Sequence, residues 1–267
     1  MSTETSTAAP PAPELPPLRS VHTTNFGPLL GELGLSLLVT TYQAGKLVVL
    51  RQNDEGTINT HFRAFPRPMG LAVRGDRLAV GTALEVWEYH NLPAVARNLE
   101  PAGSHDACFL PRRSHVTGNV LIHEMAYGAG RELWFVNTRF SCLCTRAMPY
   151  SFVPRWRPKF VSAIAPEDRC HLNGLGVRDG AVRYATALGS TDTPGSWRER
   201  IRGVRYNAST RSHAELDEAA DLDEGDIGLL ADRHRQLAGE LPALAIVGGC
   251  CGTDARHVEA LWSDQLP

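Results

Sequence analysis

Two adjacent cysteines near the C-terminus, Cys250 and Cys251, are the residues of this sequence best suited to hold a metal ion. They directly follow the apolar string ALAIVGG, so a predicted strand would bring both thiols to one end of a sheet. Thiolates suit zinc, and a catalytic zinc site keeps three protein ligands and one position open to substrate. The pair therefore predicts part of a zinc site, with at least one ligand still to be supplied.

Cys170 is the first candidate for the third zinc ligand, followed by His213 and His257 in the C-terminal segment. Without a third ligand the zinc would be only half coordinated by protein, so the chain alone should bind it weakly. The alternative is that the cysteine pair is the relic of a site and Cys170 is a structural strand residue. Zinc in an incomplete site is the one cofactor that the sequence suggests.

A second group of polar residues, His123, Glu124, His171 and Asn173, stands at the start of two similar segments. Imidazole, carboxylate and amide groups can hold a metal or hydrogen-bond a polar ligand. Repeat-equivalent positions converge on one face of a propeller, where ligands bind, so the four side chains could form one site. Alternatively, they cap strand ends by hydrogen bonds. The sequence leaves both interpretations open.

Three segments predict repeated antiparallel hairpins, because each has a strand-like run, a glycine-containing turn, a second apolar run and a threonine. Gly70, Glu124 and Gly174 are equivalent in this alignment, which gives spacings of 54 and 50 residues. That period is close to one four-stranded propeller blade of about 40–50 residues. The alternative is an irregular β-sandwich. The segments are MGLAVRGDRLAVGT (Met69–Thr82), HEMAYGAGRELWFVNT (His123–Thr138) and NGLGVRDGAVRYAT (Asn173–Thr186).

Two further stretches add to the β-rich prediction. LSLLVTTYQAGKLVVL predicts a hairpin with its turn at Gln-Ala-Gly. SFVPRWRPKF interleaves basic and aromatic side chains, which could stack on a nucleobase or grip a phosphate. One short basic stretch in a chain of net charge −2 is more typical of an exposed loop.

The pattern changes to alternating helix and strand after Glu199. SHAELDEAADL and DIGLLADRHRQLAGEL predict helices, and the second has an apolar stripe that ends before Pro242. ALAIVGG predicts a buried strand, and DARHVEALW predicts a helix with Asp254 as its N-cap. A helix–strand–helix order with an apolar strand is typical of an α/β unit.

Residues 35–199 resemble an uncharacterised bacterial family, DUF4915. The strings LLVTTYQAGKLVVL, RPMGLAV, HEMAYG, ELWFVNTRFSCL, SFVPRWRPKFVSAIAPEDRCHLNGLGV and TALGSTDTPGSWRE carry the resemblance. It implies a β-propeller-like fold and no established activity. By the spacing, the segment holds three blades and part of a fourth, too few to close a ring.

Residues 204–261 resemble the C-terminal end of the homocysteine S-methyltransferases, on the strings YNASTRSHAELDEAADLDEGD and ALAIVGGCCGTDARHVEAL. The resemblance implies that Cys250 and Cys251 bind zinc with a third cysteine of the same barrel. Zinc would then hold the homocysteine thiolate for methyl transfer. Eight β/α units close such a barrel, and this chain has only the last unit and part of another.

The composition narrows the function classes further. A net charge of −2 gives no electrostatic case for nucleic acid or an acidic membrane surface. We find no apolar run near the ~20 residues of a membrane span and no secretory signal at the N-terminus. Six cysteines without such a signal favour reduced thiols and a cytoplasmic protein.

These observations predict a mainly β fold of partial, open propeller-like blades with a C-terminal α/β helix–strand–helix tail. The expected domains are a disordered Pro/Ser/Thr-rich segment (1–30), three to four blades (31–199) and a methyltransferase-like fragment (200–267). The expected function is a binding module for a small molecule or protein, fused to an inactive remnant. The alternative is a zinc-dependent thiol S-methyltransferase. We also expect a partner subunit to cover the open sheet edge.

Overall fold

The computed structural model describes residues 22–211, 223–250 and 252–263 of the chain. Four antiparallel sheets follow one another along the chain up to Ala187, and a small α/β unit follows them. This confirms the mainly β fold class with a C-terminal α/β tail. In the described ranges no helix combines the length and apolar character that a membrane crossing needs.

The strands within each sheet are hydrogen-bonded in chain order, as in propeller blades. Blade 1 has three strands, blades 2 and 3 have four each, and blade 4 has two. Blade 1 contains β1 (Leu37–Thr41), β2 (Lys46–Gln52) and β3 (Ile58–Ala64). Blade 2 contains β4 (Leu71–Arg74), β5 (Arg77–Gly81), β6 (Glu85–Asn91) and β7 (Phe109–Val116). Blade 3 contains β8 (Ile122–Tyr127), β9 (Leu133–Asn137), β10 (Cys142–Ala147) and β11 (Tyr150–Trp156), and blade 4 contains β12 (Leu172–Arg178) and β13 (Ala181–Ala187).

Helices are few and short in this part of the chain. Helix α1 (Phe26–Leu33) packs on β2, and α2 (Pro93–Ala96) lies between β6 and β7. Two 3₁₀ turns span Ala129–Arg131 and Ser196–Arg200. The predicted disordered segment ended at residue 30, and this boundary is wrong because residues 26–30 are helical. Leu30 is buried, so packing against the sheet provides the stability that the short helix lacks by itself.

The three similar segments form the first two strands of blades 2, 3 and 4, which confirms their alignment. Gly70 directly precedes β4, and Glu124 and Gly174 are the third residues of β8 and β12. The three first strands are neighbours, since β8 contacts both β4 and β12. The aligned residues therefore lie at the same end of adjacent sheets.

Each of these first strands is entered through a residue with left-handed backbone. Arg67, Leu121 and His171 have φ values of 46°, 55° and 46°, and each stands three positions before the aligned residue of its repeat. Non-glycine residues rarely adopt this conformation, and it costs energy unless the surrounding fold imposes it. The three entry turns therefore share a left-handed residue at the same repeat position.

The core lies between the blades. Met125 and Phe135 of blade 3 pack with Ala79 and other small residues of blade 2. The inner strands approach closely there, because a Cβ on Gly70 would come within 2.7 Å of Met125 Cγ. Hydrogen bonds also join neighbouring blades: Thr40 Oγ1 donates to Met69 O (2.7 Å) and Thr138 Oγ1 donates to Leu172 O (2.5 Å). Each blade thus buries a face that it could not cover alone.

The outer edge of β13 has no hydrogen-bonded neighbouring strand among the described residues. Blade 4 stops after two strands, so the sheets do not close into a ring. This confirms the predicted open arrangement, in which the last sheet before the tail has an uncovered edge.

The tail is a βαβ unit followed by a helix. Strands β14 (Gly203–Tyr206) and β15 (Ile246–Gly249) are parallel, and helices α3 (Ile227–Glu240) and α4 (Ala255–Trp262) pack against each other. The predicted helix–strand–helix order is confirmed for 226–262, whereas the helix predicted for SHAELDEAADL lies at 212–222, outside the described residues. The predicted buried strand is only partly buried, because Ile246 is 67% exposed on a two-stranded sheet that is covered on one face.

The ends of the tail helices follow local capping rules. Asp226 accepts a hydrogen bond from Leu229 N and begins α3, which ends just before Pro242. Asp254 begins α4 as predicted, in a capping box with His257. Local chemistry therefore determines both helix starts.

Candidate functional site

Three of the four predicted polar residues meet at the entry end of blades 3 and 4. The Nδ1 atom of His123 on β8 lies 3.3 Å from the Oδ1 atom of Asn173 on β12. The rings of His123 and His171 meet edge to face, with centroids 5.0 Å apart. Residues 50 positions apart in the chain are adjacent here because the first strands of neighbouring blades lie side by side.

Glu124 is not part of this contact. Its Oε1 atom accepts a hydrogen bond from Met125 N (2.9 Å), so the carboxylate is hydrogen-bonded within its own strand. Successive residues of a strand point to opposite faces, so His123 and its neighbour cannot both face Asn173. No contact that joins Glu124 to the imidazoles is seen in the described part of the chain, and its place in the site stays a prediction.

Asp168 holds His171 in place through a tight turn. Its Oδ1 atom accepts from His171 N (2.9 Å) and its Oδ2 atom lies 2.8 Å from His171 Nδ1. Both residues have left-handed backbone, with φ of 46°. The carboxylate thus orients the ring and favours the tautomer with the proton on Nδ1.

Trp197 forms an aromatic wall beside His171. The two ring centroids are 4.4 Å apart, and Trp197 Nε1 donates to Asp168 O (3.1 Å). The 3₁₀ turn Ser196–Arg200 brings this indole back to the turn before β12. Sequence reasoning missed both Asp168 and Trp197. The Asp-x-x-His spacing of EDRCHLNG is a signal for Asp168, whereas no local signal places Trp197.

The imidazoles of His123 and His171 each present an Nε2 atom to a ligand. Asp168 and Asn173 face the Nδ1 atoms, and in the described ranges no hydrogen bond engages either Nε2 atom. Burial lowers the pKa of His123 first, and the nearby His171 lowers it further, against the opposing effects of Asn173 and Asp168. His123 is therefore neutral at pH 7, with a lone pair on Nε2.

The same end of the sheets contains a small cavity on the other side of His123. Its volume is about 20 Å³, which is room for one water-sized group. Asn119 lines it, and the buried Oδ1 atom of Asn119 has no hydrogen-bond partner. Most of the remaining lining is apolar surface; the other lining residues are Tyr42, Arg67, Met69, Thr82, Ala83, Leu121 and Ile122. Polar groups from blades 1 to 4 thus collect at this end of the sheets.

The predicted zinc ligands are dispersed in the described part of the chain. Cys250 is exposed after β15, where its thiol lies 3.7 Å from an Arg205 nitrogen, and Cys251 and His213 lie outside the described residues. Cys170 is fully buried with Val136 and Leu172 between blades 3 and 4, and burial raises the pKa of its thiol. The described residues contain no group of three or more metal-ligating side chains, and the zinc site stays a prediction.

The basic and aromatic stretch SFVPRWRPKF is a strand in its first half, not an exposed loop. Strand β11 reaches Trp156, because Val153 and its neighbours pair with β10. Arg155 lies over the Trp134 ring at 5.6 Å and beside Glu132. A cleft of about 530 Å³ separates this surface from β13.

Comparison with known proteins gives a family for most of the chain. A family model described as a domain of unknown function (DUF4915) matches residues 24–206. No curated protein matches the chain. The family match ends at 206, so the similarity of the tail to homocysteine S-methyltransferases has no support from these comparisons and stays a prediction.

Among solved structures, the chain is similar to selenomethionine-substituted virginiamycin B lyase from Staphylococcus aureus. The identity is 11% and the TM-score 0.37, over 58% of this chain and 46% of the lyase chain. The chain therefore spans less than half of the lyase, and a similarity at this level bears on no activity. The family match alone covers more than half of the chain, and this protein belongs to the DUF4915 family.

Proposed function

We propose that this protein is a binding module that holds a small polar ligand where His123, His171 and Asn173 meet. One observation carries the proposal: two imidazoles from neighbouring blades come together with both Nε2 atoms unengaged among the described residues. The neutral Nε2 atom of His123 accepts a hydrogen bond, so the ligand class is a small molecule with hydroxyl or amine donors. The Trp197 ring adds an apolar surface for its carbon skeleton.

Preorganisation supports binding at this point. The Asp168 carboxylate sets the orientation of His171, and the left-handed entry turn is shared with two other blades. Groups that are already in place lose little freedom when a ligand binds, which favours affinity. The small, mostly apolar cavity beside His123 extends the surface available to such a ligand.

Titration of the protein with a panel of monosaccharides, polyols and amines tests this proposal. Histidine ¹⁵N resonances report directly on hydrogen bonds to each Nε2 atom. We expect one compound class to shift the Nε2 signals of His123 and His171 saturably, and H123F or H171F to abolish its binding. H61F, on the exposed strand β3, is the matched control and should bind normally. Binding that survives both ring substitutions would place the ligand elsewhere.

We also propose that the C-terminal segment is the inactive remnant of a methyltransferase. The exposed position of Cys250 in the tail and the burial of Cys170 in the blade core support this. The alternative, a zinc-dependent thiol S-methyltransferase, needs a third ligand from Cys251's surroundings or from another subunit. Methyl transfer to homocysteine by the zinc-loaded full chain would establish the alternative.

A further inference from the structure

A cluster of one acidic, three basic and one phenolic side chain lies between blades 2 and 3. Glu88 on β6 is at its centre, with a side chain only 3% exposed. Its carboxylate pairs with Arg113 Nε at 2.8 Å and with an Arg146 nitrogen. Arg77 on β5 and Tyr127 on β8 also belong to the cluster. The Arg77 charge acts on Tyr127 and on Arg146, and the Glu88 charge acts on the same two residues.

The cluster has more positive charge than Glu88 can balance. Three guanidinium groups face one carboxylate, an excess of two positive charges. Burial first, and then the negative charge of Glu88, raise the pKa of Tyr127 to about 12, so this phenol is neutral and does not reduce the excess. Burying charge is costly unless each charge is paired and hydrogen-bonded.

Three hydrogen-bond donors in the cluster also lack acceptors. The Nε atoms of Arg77 and Arg146 and the Oη atom of Tyr127 are buried without a hydrogen-bond partner in the described residues. Tyr127 is itself 93% buried, because only 7% of its surface is exposed. Glu88 Oε1, which is ion-paired with Arg146, is also buried there without a hydrogen-bond partner. Three donors outnumber this one acceptor, and buried donors are almost always satisfied, so the cluster calls for a further acceptor from outside these side chains.

We propose that this cluster, Arg77, Arg113, Arg146 and Tyr127 around Glu88, is a binding site for a tetrahedral oxyanion of the phosphate class. A phosphate dianion matches the excess charge of two and offers oxygen acceptors to the guanidinium and phenol donors. Arg113, whose side chain is 48% exposed, connects the cluster to the surface and gives the anion a way in.

The oxyanion site is separate from the His123 site. Strand β8 runs from His123 near its start to Tyr127 at its end, a distance of about 13 Å at 3.3 Å per residue. The two sites thus lie toward opposite ends of β8, the His123 site between blades 3 and 4 and the oxyanion cluster between blades 2 and 3. Neither proposal depends on the other.

Titration of the full-length protein with inorganic phosphate, in a buffer without oxyanions, tests the site. ³¹P line broadening and calorimetry measure binding, and sodium chloride at matched ionic strength controls for screening. We expect saturable binding that weakens roughly tenfold or more in R77Q, because a charged hydrogen bond is lost. R112Q, an exposed neighbour on β7, should bind phosphate like the unaltered protein.

Two further variants separate anion binding from a structural role. E88Q removes the competing carboxylate, so phosphate should bind more tightly even though an ion pair is lost. Y127F keeps the ring and removes one donor, so binding should weaken severalfold without loss of fold. Sulfate and glycerol phosphate distinguish a free ion from an esterified group, and binding of either type supports the proposal. The proposal would be overturned if phosphate does not bind at millimolar concentration, or if sodium chloride at matched ionic strength gives the same calorimetric signal.

Discussion

At the scale of single residues, His123 makes the blade interface sensitive to acid. Its pKa is lowered mainly by burial, and protonation also brings it into repulsion with His171. The unfolded chain therefore takes up a proton near pH 6.5, before the folded protein does. Neutral His123 therefore stabilises the folded protein above that pH. This stabilisation is lost as the pH falls through the lower pKa that His123 has in the folded state.

We expect the unfolding midpoint in urea to decrease between pH 7.5 and pH 5.5, bracketing the ordinary histidine pKa of about 6.5. H123N, which cannot titrate, should lose part of this decrease. Because the Asp168 carboxylate raises the pKa of His123, D168N should lower that pKa further and make the loss of stability on acidification larger. A midpoint with the same pH dependence in the protein and in H123N would contradict the assignment.

Zinc binding is also decided by single residues, because it depends on which cysteine thiols can reach the same ion. The fully buried Cys170 cannot join Cys250 without opening the blade core, so we expect the purified chain to hold zinc only weakly. Elemental analysis after dialysis against a mild chelator measures this. C250A and C251A should leave the stability of the fold almost unchanged, as should C108A. One tightly bound zinc per chain, lost in C250A but not in C108A, would show a complete site.

At the scale of elements, two glycines allow the first two strands of blade 2 to pack closely against the first strand of blade 3. A Cβ on Gly70 or Gly81 would lie less than 3.0 Å from side-chain atoms of Ile122 and Met125. G70A should therefore destabilise the fold by about 1–3 kcal/mol, as other overpacked cores do. The control G239A adds a methyl group where nothing lies within 4 Å, in a helix, and should be neutral or stabilising.

Chemical denaturation followed by tryptophan fluorescence measures both changes. The combination of G70A with M125A, which removes part of the obstructing side chain, should be less destabilising than the sum of the two single changes. Simple additivity would mean that the blades are not in contact at this position.

At the scale of the whole molecule, the open edge of blade 4 is the feature that needs a partner. No strand among the described residues pairs with the outer edge of β13, and the adjoining cleft exposes Trp156 (45%) and Tyr184 (58%). Unprotected strand edges with exposed aromatic groups promote pairing with another chain. A partner subunit at this edge remains our proposal.

We expect the isolated protein to self-associate as its concentration rises, through antiparallel pairing of β13 with β13 of a second copy. Sedimentation velocity over a range of concentrations measures this. The double variant W156K/Y184K should remain monomeric, whereas V73K, at an exposed position of β4, should associate normally. A monomer at every concentration would show that this edge does not pair with itself.

The candidate site was predictable only in part. His123, His171 and Asn173 were found because they begin similar segments, and similar segments become adjacent strands in neighbouring blades. Trp197 was missed because a separate turn brings it back to His171. The oxyanion cluster was missed for the same reason, since Arg77, Tyr127 and Arg146 are unremarkable in the sequence and meet only between blades.

The sequence by itself determined the repeat, the antiparallel hairpins, the family and the capped helices of the tail. These features depend on neighbours in the chain: Gly45 in a tight turn, Asp254 at a helix start, alternating apolar residues in strands. The tertiary structure alone decided which side chains face each other across blades, which strand edge stays open, and that Cys170 is a core residue. Such contacts join residues that are far apart in the chain, and their positions depend on how sheets pack, which no local pattern encodes.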